Sequence, residues 1–222
     1  MPPKTAFIKL RWSALAMTRT EPLPRDFYAR DAVTVARELL GCRLVHETPE
    51  GPLGGIIVET EAYLGLADDA AHSYRGKPQG RVNIQYGPGG FAYIYLIYGM
   101  HSCFNVTVNA PGVPEAVLVR ALRPDTGVER MYPRRRAAKT IRQLCSGPGK
   151  LCAALDITRD QYGADLTEPP LYITPAETPQ SIIAARRIGV DYALRCRDEL
   201  WRFVIGDDPF VSVPPGKEKP HP

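Results

Sequence analysis

The chain has 222 residues, 44% of them hydrophobic, which suits one domain with a sizeable core. No apolar run approaches the ~18 residues of a membrane-spanning helix, so no membrane partner is expected. The net charge of +4 is a mild basic excess, compatible with nucleic acid but not diagnostic of it. The five cysteines are odd in number and include no CxxC pair, so neither a disulfide framework nor a zinc site is indicated.

The two ends of the chain differ from its middle. Lys9 and Arg11 interrupt the apolar run that a signal peptide needs, so a signal peptide is not expected. Residues 1–20 are instead predicted to be a disordered leader. Translation could instead begin at Met17. Residues 215–222 are predicted to be a disordered tail from their composition. The remaining residues, 21–214, are then expected to form a single domain.

The elements of this domain are predicted in chain order. Asp31 can cap a helix over 32–40, and Gly41 suits its end. A glycine-rich loop is predicted over 76–90, and a short helix over 151–155. Strands are predicted over 42–46, 54–63, 91–98, 103–109, 116–122, 171–174 and 201–205. Short connections between successive strands favour an antiparallel sheet, so the fold class is mixed α+β.

The stretch VETEAYLG, residues 58–65, combines two carboxylates with a tyrosine on a predicted strand. Strict alternation places one set of side chains on a single face: Ile57, Glu59, Glu61 and Tyr63. Burying such carboxylates is costly unless they have a purpose, such as taking a proton from water beside a developing cation. The alternative is a pair of exposed glutamates on an edge strand. His72 follows in DDAAHS, as either a structural or a catalytic residue.

The stretch AYIYLIYGM, residues 92–100, holds three tyrosines and then a glycine. Tyr93 and Tyr95 share one face of the predicted strand, whereas Tyr98 falls on the other face beside Gly99. Because the next strand follows at once, Tyr98 is predicted to lie at the tip of a hairpin. An aromatic side chain at a tip is either covered by a neighbouring loop or directed at a partner.

Two polar residues lie within other predicted strands. Asn105 has a donor and an acceptor that suit the edge of a base, unless it belongs to a polar stripe facing solvent. Arg120 lies among aliphatic residues in VLVRAL, where a guanidinium needs an anionic or carbonyl partner. That partner is either an internal acid or a phosphate.

Positive charge is concentrated in a basic run: Arg130, Arg134, Arg135, Arg136, Lys139 and Arg142. Such a run is either a solvated face or a surface for an anionic partner. Lys150 follows Gly-Pro-Gly at a predicted helix start, where backbone amides favour anions, although an ordinary helix start is an equal interpretation. Neither GxSxG nor GxxxxGK[ST] occurs, so a hydrolase nucleophile elbow and a P-loop are both unsupported.

Taken in order, VETEAYLG, AAHS, YLIYGMHSCFNV, VPEAVLVRAL, LCSGPGKLCAAL and ARRIGV resemble the alkyladenine (3-methyladenine) DNA glycosylase family. The resemblance runs from about residue 27 to residue 213. It implies a single mixed α+β domain with a curved antiparallel sheet flanked by helices, and no metal or organic cofactor. It also implies base excision repair of duplex DNA by a monomer, in the bacterial cytoplasm or, in a eukaryote, in the nucleus.

The activity implied is extrusion of a damaged purine and hydrolysis of its N-glycosidic bond. The implied lesions are 3-methyladenine, 7-methylguanine, hypoxanthine and ethenoadenine. Glu61 corresponds to the general base that activates water. Tyr63 and His72 correspond to the residues that sandwich the extruded base, and Tyr95 completes the aromatic wall.

Five other residues correspond to base or DNA contacts. Asn105 matches a residue that helps exclude guanine through its amino group, and Arg120 matches an arginine that contacts the nucleotide backbone. Tyr98 matches a tyrosine that enters the minor groove and fills the gap in the stack. Arg81 and Lys150 are the expected phosphate contacts. The segment around Arg81 departs from the family's Thr-Pro-Arg-Asn by one extra residue, which leaves its placement open.

No lysine lies near VETEAY to form a Schiff base, so a monofunctional enzyme that leaves an abasic site is expected. Two alternatives remain open at the level of sequence. One is a module that binds damaged DNA and has lost the chemistry. The other is a hydrolase of modified nucleosides or RNA, which would not need Tyr98 as a wedge.

Overall fold

The computed structural model describes residues 21–217. The predicted leader, and residues 218–222 of the predicted tail, lie outside the described residues. The described part forms a single mixed α+β domain around a curved antiparallel sheet, which confirms the predicted fold class. The limits of the domain stay predictions.

Within the described residues, eight strands form one antiparallel sheet: β1 (Arg43–Thr48), β2 (Gly51–Tyr63), β3 (Ala92–Ile97), β4 (His101–Val108), β5 (Glu115–Thr126), β6 (Leu171–Thr174), β7 (Ile182–Ala185) and β8 (Arg202–Ile205). The order is β3-β4-β5-β2-β1-β6. β8 pairs with the second half of β2, and β7 pairs with β8. Every predicted strand is present within a few residues of its predicted limits, but β7 was not predicted.

In residues 21–217, four short α-helices accompany the sheet: α1 (Arg25–Tyr28), α2 (Ala32–Glu38), α3 (Val128–Arg134) and α4 (Pro148–Ala154). The predicted cap of α2 is confirmed, because Asp31 Oδ1 accepts a hydrogen bond from the N–H of Thr34 at 2.9 Å. The segment 76–90 is not all loop, since Gly80–Tyr86 forms a 3₁₀-helix. A 3₁₀-helix is tight and short, and it leaves no amphipathic period in the sequence.

One face of the sheet forms the main core. Alternate residues of β3, β4 and β5 turn into it: Ala92, Ile94, Phe104, Val106, Val117 and Val119. Helices α2 and α4 pack against the sheet, and Thr60 Oγ1 on β2 donates to the carbonyl of Ala36 on α2 at 2.7 Å. The intervening residues Tyr93, Cys103 and Leu118 are also buried but lie outside the main core. The opposite face of the sheet is therefore buried at these positions as well, and it carries the polar residues of the candidate site.

The register of β2 against β5 shifts on both sides of Glu59. The first shift leaves Val58 without a partner on β5, and the second leaves Arg120 without a partner on β2. The prediction that Ile57 shares a face with Glu59 is wrong, because Ile57 and Val58 both pack in the main core. Bulges bend strands and re-aim side chains. Here they curve the sheet and direct Glu59 and Arg120 at each other.

Candidate active site

A row of four side chains crosses the second face of the sheet. Tyr93 of β3 lies opposite Asn105 of β4, Asn105 lies opposite Leu118 of β5, and Leu118 lies opposite Glu61 of β2. Directly paired residues project from the same face. All four are buried. The row therefore joins the tyrosine-rich strand and the glutamate-rich strand in one site.

Glu61 lies at one end of this row and has no exposed surface. Its Oε1 accepts a hydrogen bond from the N–H of Ile188 at 2.7 Å, and its Oε2 accepts one from the Tyr63 hydroxyl at 2.9 Å. Nη1 of Arg120 lies 3.2 Å from Oε2. A carboxylate oxygen can accept two hydrogen bonds, so among the described residues Oε1 keeps one acceptor position open. The two hydrogen bonds and the ion pair thus fix the carboxylate in orientation.

Arg120 lies between two glutamates. Its Nε donates to Glu59 Oε1 at 3.0 Å, while Nη1 faces Glu61. Burial by itself lowers the pKa of Arg120, but the charges of Glu61 and Glu59 outweigh burial and raise that pKa above its ordinary value. Of the two partners left open by the sequence, the structure shows the internal acid. The contact of Arg120 with the nucleotide backbone stays a prediction.

Glu59 is also fully buried, so the alternative of two exposed glutamates is wrong. Its Oε1 accepts from Nη1 of Arg202 at 3.0 Å and from the Ser212 hydroxyl at 3.0 Å. Its Oε2 accepts from the N–H of Ser212 at 2.7 Å. Glu59 therefore anchors Arg120 and Arg202, and it is not placed to give a proton to a substrate.

Aromatic side chains occupy the other end of the row. The rings of His72 and Tyr95 meet edge to face, with centroids 4.5 Å apart. His72 Nδ1 and the Tyr93 hydroxyl share a hydrogen bond of 2.9 Å. Burial, which disfavours the charged ring, is the main cause that lowers the pKa of His72 from 6.5 to about 4, and the positive charge of Arg81 is the second cause. His72 is therefore neutral near pH 7.

Arg81 lies beside this aromatic wall, which settles the placement that the altered loop left open. Its guanidinium carbon is 5.7 Å from the centroid of the Tyr95 ring, within the range of a cation–π contact. A cleft of about 460 Å³ opens here, and Arg81, Tyr95, Arg159 and Tyr162 line it. The contact of Arg81 with a phosphate stays a prediction.

The ring of Tyr63 is supported by Arg187, whose guanidinium carbon lies 4.8 Å from the ring centroid. Arg187 is buried and donates to both carboxylate oxygens of Asp68, at 2.6 and 2.9 Å. Sequence reasoning assigned no role to Arg187, Asp68 or Ile188. Only the order of the ARRIGV stretch in the family resemblance pointed to this region, because the partners are 119 residues or more apart.

Tyr98 lies at a hairpin tip, as predicted, and 84% of it is exposed. Tyr98 and Gly99 have φ values of 52° and 72°, and the N–H of Met100 donates to the carbonyl of Ile97 at 3.2 Å. Two successive positive φ values define a type I′ turn. No described loop covers the ring, so the side chain is free to meet a partner.

Asn105 is only 3% exposed, so it does not belong to a stripe facing solvent. Its Nδ2 donates to the carbonyl of Tyr93 at 3.0 Å. This bond identifies the nitrogen end of the amide and leaves Oδ1 without a partner among the described residues. A contact between Asn105 and the purine edge stays a prediction.

The basic run divides into two groups, and in the first group Arg135 Nε donates to the carbonyl of Leu144 at 3.3 Å. Arg134 pairs with Glu50 at 2.8 Å, and Arg130 Nη2 donates to the carbonyl of Pro52 at 2.7 Å. Three members are exposed and have no acidic partner among the described residues: Arg136, Lys139 and Arg142. Lys150, at the start of α4, is exposed, and in residues 21–217 its side-chain partner is the Ser146 hydroxyl, at 3.4 Å. The second group and Lys150 are therefore available to an anionic partner.

One group in the described part of the chain has the residue types of a metal site: Asp68, Asp69 and Cys196. Asp68 already pairs with Arg187, and the carboxylate of Asp69 accepts three backbone hydrogen bonds. Both carboxylates of this group are thus already engaged by donors within the protein. In residues 21–217, no helix has the length and apolar character needed to cross a membrane.

A buried carboxylate held in one orientation, an aromatic pocket and an uncovered aromatic tip are features expected of a base-excising enzyme. Residues 26–209 match the model of the methylpurine-DNA glycosylase family. The chain belongs to this family and is a DNA glycosylase of DNA repair.

Several bacterial relatives share most of their length with this chain, and each carries the name "Putative 3-methyladenine DNA glycosylase". The relative from Desulfitobacterium hafniense is 46% identical over 86% of this chain and 98% of its own length. The one from Bacillus licheniformis is 47% identical over 86% and 97%. The one from Bacillus subtilis is 43% identical over 88% and 100%.

Proposed function

We propose that this DNA glycosylase rotates a damaged purine nucleotide out of the duplex and hydrolyses its N-glycosidic bond. The observation that carries the proposal is the position of Glu61. It is buried, held by Ile188 and Arg120, and joined by a row of paired residues to the aromatic end of the same face. A sugar near Glu61 would have its base beside Tyr63 and His72.

The energetics of extrusion support this proposal. Unstacking a nucleotide costs a few kcal/mol, least at a damaged or mispaired base. Stacking on aromatic side chains returns roughly 1–3 kcal/mol per base. Tyr98, uncovered at the hairpin tip, is suited to fill the gap in the duplex, while the wall of Tyr95 and His72 receives the base.

The hydrolysis uses Glu61 as the general base. As the bond between the anomeric carbon and the purine nitrogen breaks, the base leaves with the electron pair and the sugar gains oxocarbenium character. Water on Oε1 attacks the anomeric carbon and gives its proton to Glu61. General-base assistance of this kind contributes about 10²–10⁴-fold. A cationic alkylated purine leaves as a neutral base, whereas a neutral lesion such as hypoxanthine needs a proton.

We further propose that the enzyme is monofunctional. The described part of the chain contains Lys77, Lys139, Lys150 and Lys217, and none of them lies in a strand of the sheet. A Schiff base with the sugar would need an amine at the site of Glu61. Water is therefore the nucleophile, and the product is an abasic site in an intact strand.

The test is product analysis on duplexes that each carry one lesion: 7-methylguanine, hypoxanthine or ethenoadenine. We expect free base in amounts equal to alkali-labile sites, and no strand cleavage before alkali. Release of 7-methylguanine alone would confine the enzyme to cationic purines. Release from none of the duplexes would overturn the proposed function, and strand cleavage without alkali would overturn the monofunctional assignment.

A further inference from the structure

Two large apolar side chains are the most exposed in the described part of the chain, Leu194 at 85% and Tyr98 at 84%. Tyr98 lies at the tip of the β3–β4 hairpin. Leu194 lies in the segment 186–200, which connects β7 to β8. A single exposed leucine is ordinary on a protein surface, so the setting of Leu194 decides what it means.

The backbone around Leu194 is held in one conformation. The N–H groups of Leu194, Arg195 and Cys196 all donate to the carboxylate of Asp69, at 2.8, 2.8 and 2.9 Å. The hydroxyl of Tyr192 donates to the carbonyl of Ala70 at 2.8 Å. The leucine is thus presented to solvent by a fastened loop, and binding a partner would cost little ordering entropy.

The same loop builds one end of the site. Near its start lie Arg187, which supports the Tyr63 ring, and Ile188, which donates to Glu61. Val190 and Ala193 pack with Ala70 against Tyr63. Leu194 is therefore on the rim at the glutamate end of the row, and Tyr98 follows the strand at the tyrosine end. Three strand spacings of about 4.8 Å, or ~14 Å, separate the two ends.

Positive charge accompanies Leu194. Arg195 is exposed, and no carboxylate among the described residues pairs with it. The neighbouring Arg186 and Arg197 both pair with Asp198 at 3.4 Å. An apolar side chain next to an unpaired arginine matches the minor groove of DNA, where apolar wedges enter between base steps and phosphates line the edges.

We propose that Leu194 and Arg195 form a second contact with the duplex, on the opposite side of the extruded nucleotide from Tyr98. Leu194 packs into the minor groove and Arg195 binds a phosphate of the same duplex. The inference rests on the proposed function, because the site between the two contacts is where the extruded nucleotide lies.

The first test compares Leu194→Ala with Leu200→Ala, a matched control in the same segment whose leucine is 54% exposed. The probe is a duplex with a tetrahydrofuran abasic-site analogue, and the readout is Kd. Leu194→Ala is expected to weaken binding about tenfold, and Leu200→Ala to leave Kd unchanged. A single strand with the same analogue is expected to bind wild type and both variants equally, since it has no minor groove.

The second test measures the salt dependence of Kd for Arg195→Gln, with Arg197→Gln as the paired control. Loss of one phosphate contact lowers the slope of log K against log salt by about one, so only Arg195→Gln is expected to change it. Unchanged Kd for Leu194→Ala together with an unchanged slope for Arg195→Gln overturns the second contact.

The two failures can be told apart. If wild type releases base while the Leu194 and Arg195 variants bind as wild type does, only the second contact is wrong. If wild type binds the duplex but releases base from no lesion, the proposed function is wrong, whatever the variants show.

Discussion

Glu59 and Glu61 are two positions apart, and their neighbours give them different roles. Glu61 is held by Ile188, Tyr63 and Arg120 at the end of the row that leads to the aromatic side chains, whereas Glu59 is enclosed by Arg120, Arg202 and Ser212. Two buried guanidinium groups depend on Glu59 for compensation of their charge. Removing one partner of such a group leaves an uncompensated buried charge, which is far more costly than removing a surface partner.

Glu59→Gln is therefore expected to lower the free energy of unfolding by about 3–5 kcal/mol. The matched control is Glu50→Gln, because the Glu50 side chain pairs with Arg134 but is 64% exposed. Its expected loss is much smaller, because solvent screens this exposed pair. Urea denaturation of both variants measures the difference. Equal losses would show that Glu59 is not the anchor of the buried network.

The neutral state of His72 can be measured directly. Histidine carbon shifts followed by NMR are expected to show one residue with a pKa of about 4, well below 6.5. Burial is the larger cause and Arg81 the second, so Arg81→Gln is expected to raise this pKa part of the way towards 6.5. A titration of His72 near 6.5 in wild type would contradict the account.

The lowered pKa of His72 also makes the free energy of unfolding depend on pH. The pKa of His72 is lower in the folded chain than in the unfolded chain, so the unfolded state binds the proton more readily. The contribution of neutral His72 to stability is full above pH 6.5 and is lost as the pH falls from 6.5 towards about 4.

At the residue scale, the sequence indicated which residues belong to the site but not their partners. Alternation placed Glu59, Glu61 and Tyr63 together, and the structure keeps them on one side of β2. Alternation did not show that Glu59 and Glu61 have different roles. That difference depends on Arg202 and Ser212, which follow Glu59 by 143 and 153 residues. Arg187 behind Tyr63 was missed for the same reason.

At the scale of elements, the tip residue of the β3–β4 hairpin, Tyr98, combines a strained backbone with an exposed aromatic ring. A non-glycine residue with φ near 52° is in the left-handed region, which costs roughly 1–2 kcal/mol for most side chains. Asparagine tolerates this region, and Asn-Gly is the favoured pair of a type I′ turn. The chain has kept a tyrosine where the backbone favours asparagine.

Tyr98→Asn is therefore expected to raise the free energy of unfolding slightly, by about 0.5–1 kcal/mol, while weakening binding to a lesion duplex about tenfold or more. Thermal unfolding and Kd for the abasic-site duplex measure the two effects on the same preparation. Loss of stability together with unchanged binding would show that the ring serves the fold and not the DNA.

The elements that sequence patterns predicted are those with clear periodicity or strong breaks. Asp31 and Gly41 marked α2, and alternation marked β2 to β5. β7 was missed because Ile182–Ala185 is four residues long, half-exposed and without alternation. The two bulges around Glu59 left no sequence signal, because each arises from the pairing of β2 with β5.

At the scale of the whole molecule, the net charge of +4 is small, and the distribution of unpaired cations matters more. Arg134 is neutralised by Glu50 and Asp156, whereas Lys150 is exposed without an acidic partner among the described residues. A guanidinium already paired within the protein gains less from a phosphate than a free ammonium does.

Lys150→Gln is expected to lower the salt slope of duplex binding by about one, and Arg134→Gln is expected to leave it unchanged. Titrations of the same duplex at several salt concentrations provide both slopes. The reverse pattern would mean that Arg134 leaves its internal partners on binding and that Lys150 does not contact DNA.

The most direct test of the central claim is single-turnover base release by wild type and by Glu61→Gln, from a hypoxanthine duplex and from methylated DNA. The account predicts that Glu61→Gln binds each duplex as wild type does and releases base about 10²–10⁴-fold more slowly. Release by Glu61→Gln at the wild-type rate, with equal binding, would contradict the assignment of Glu61 as the general base.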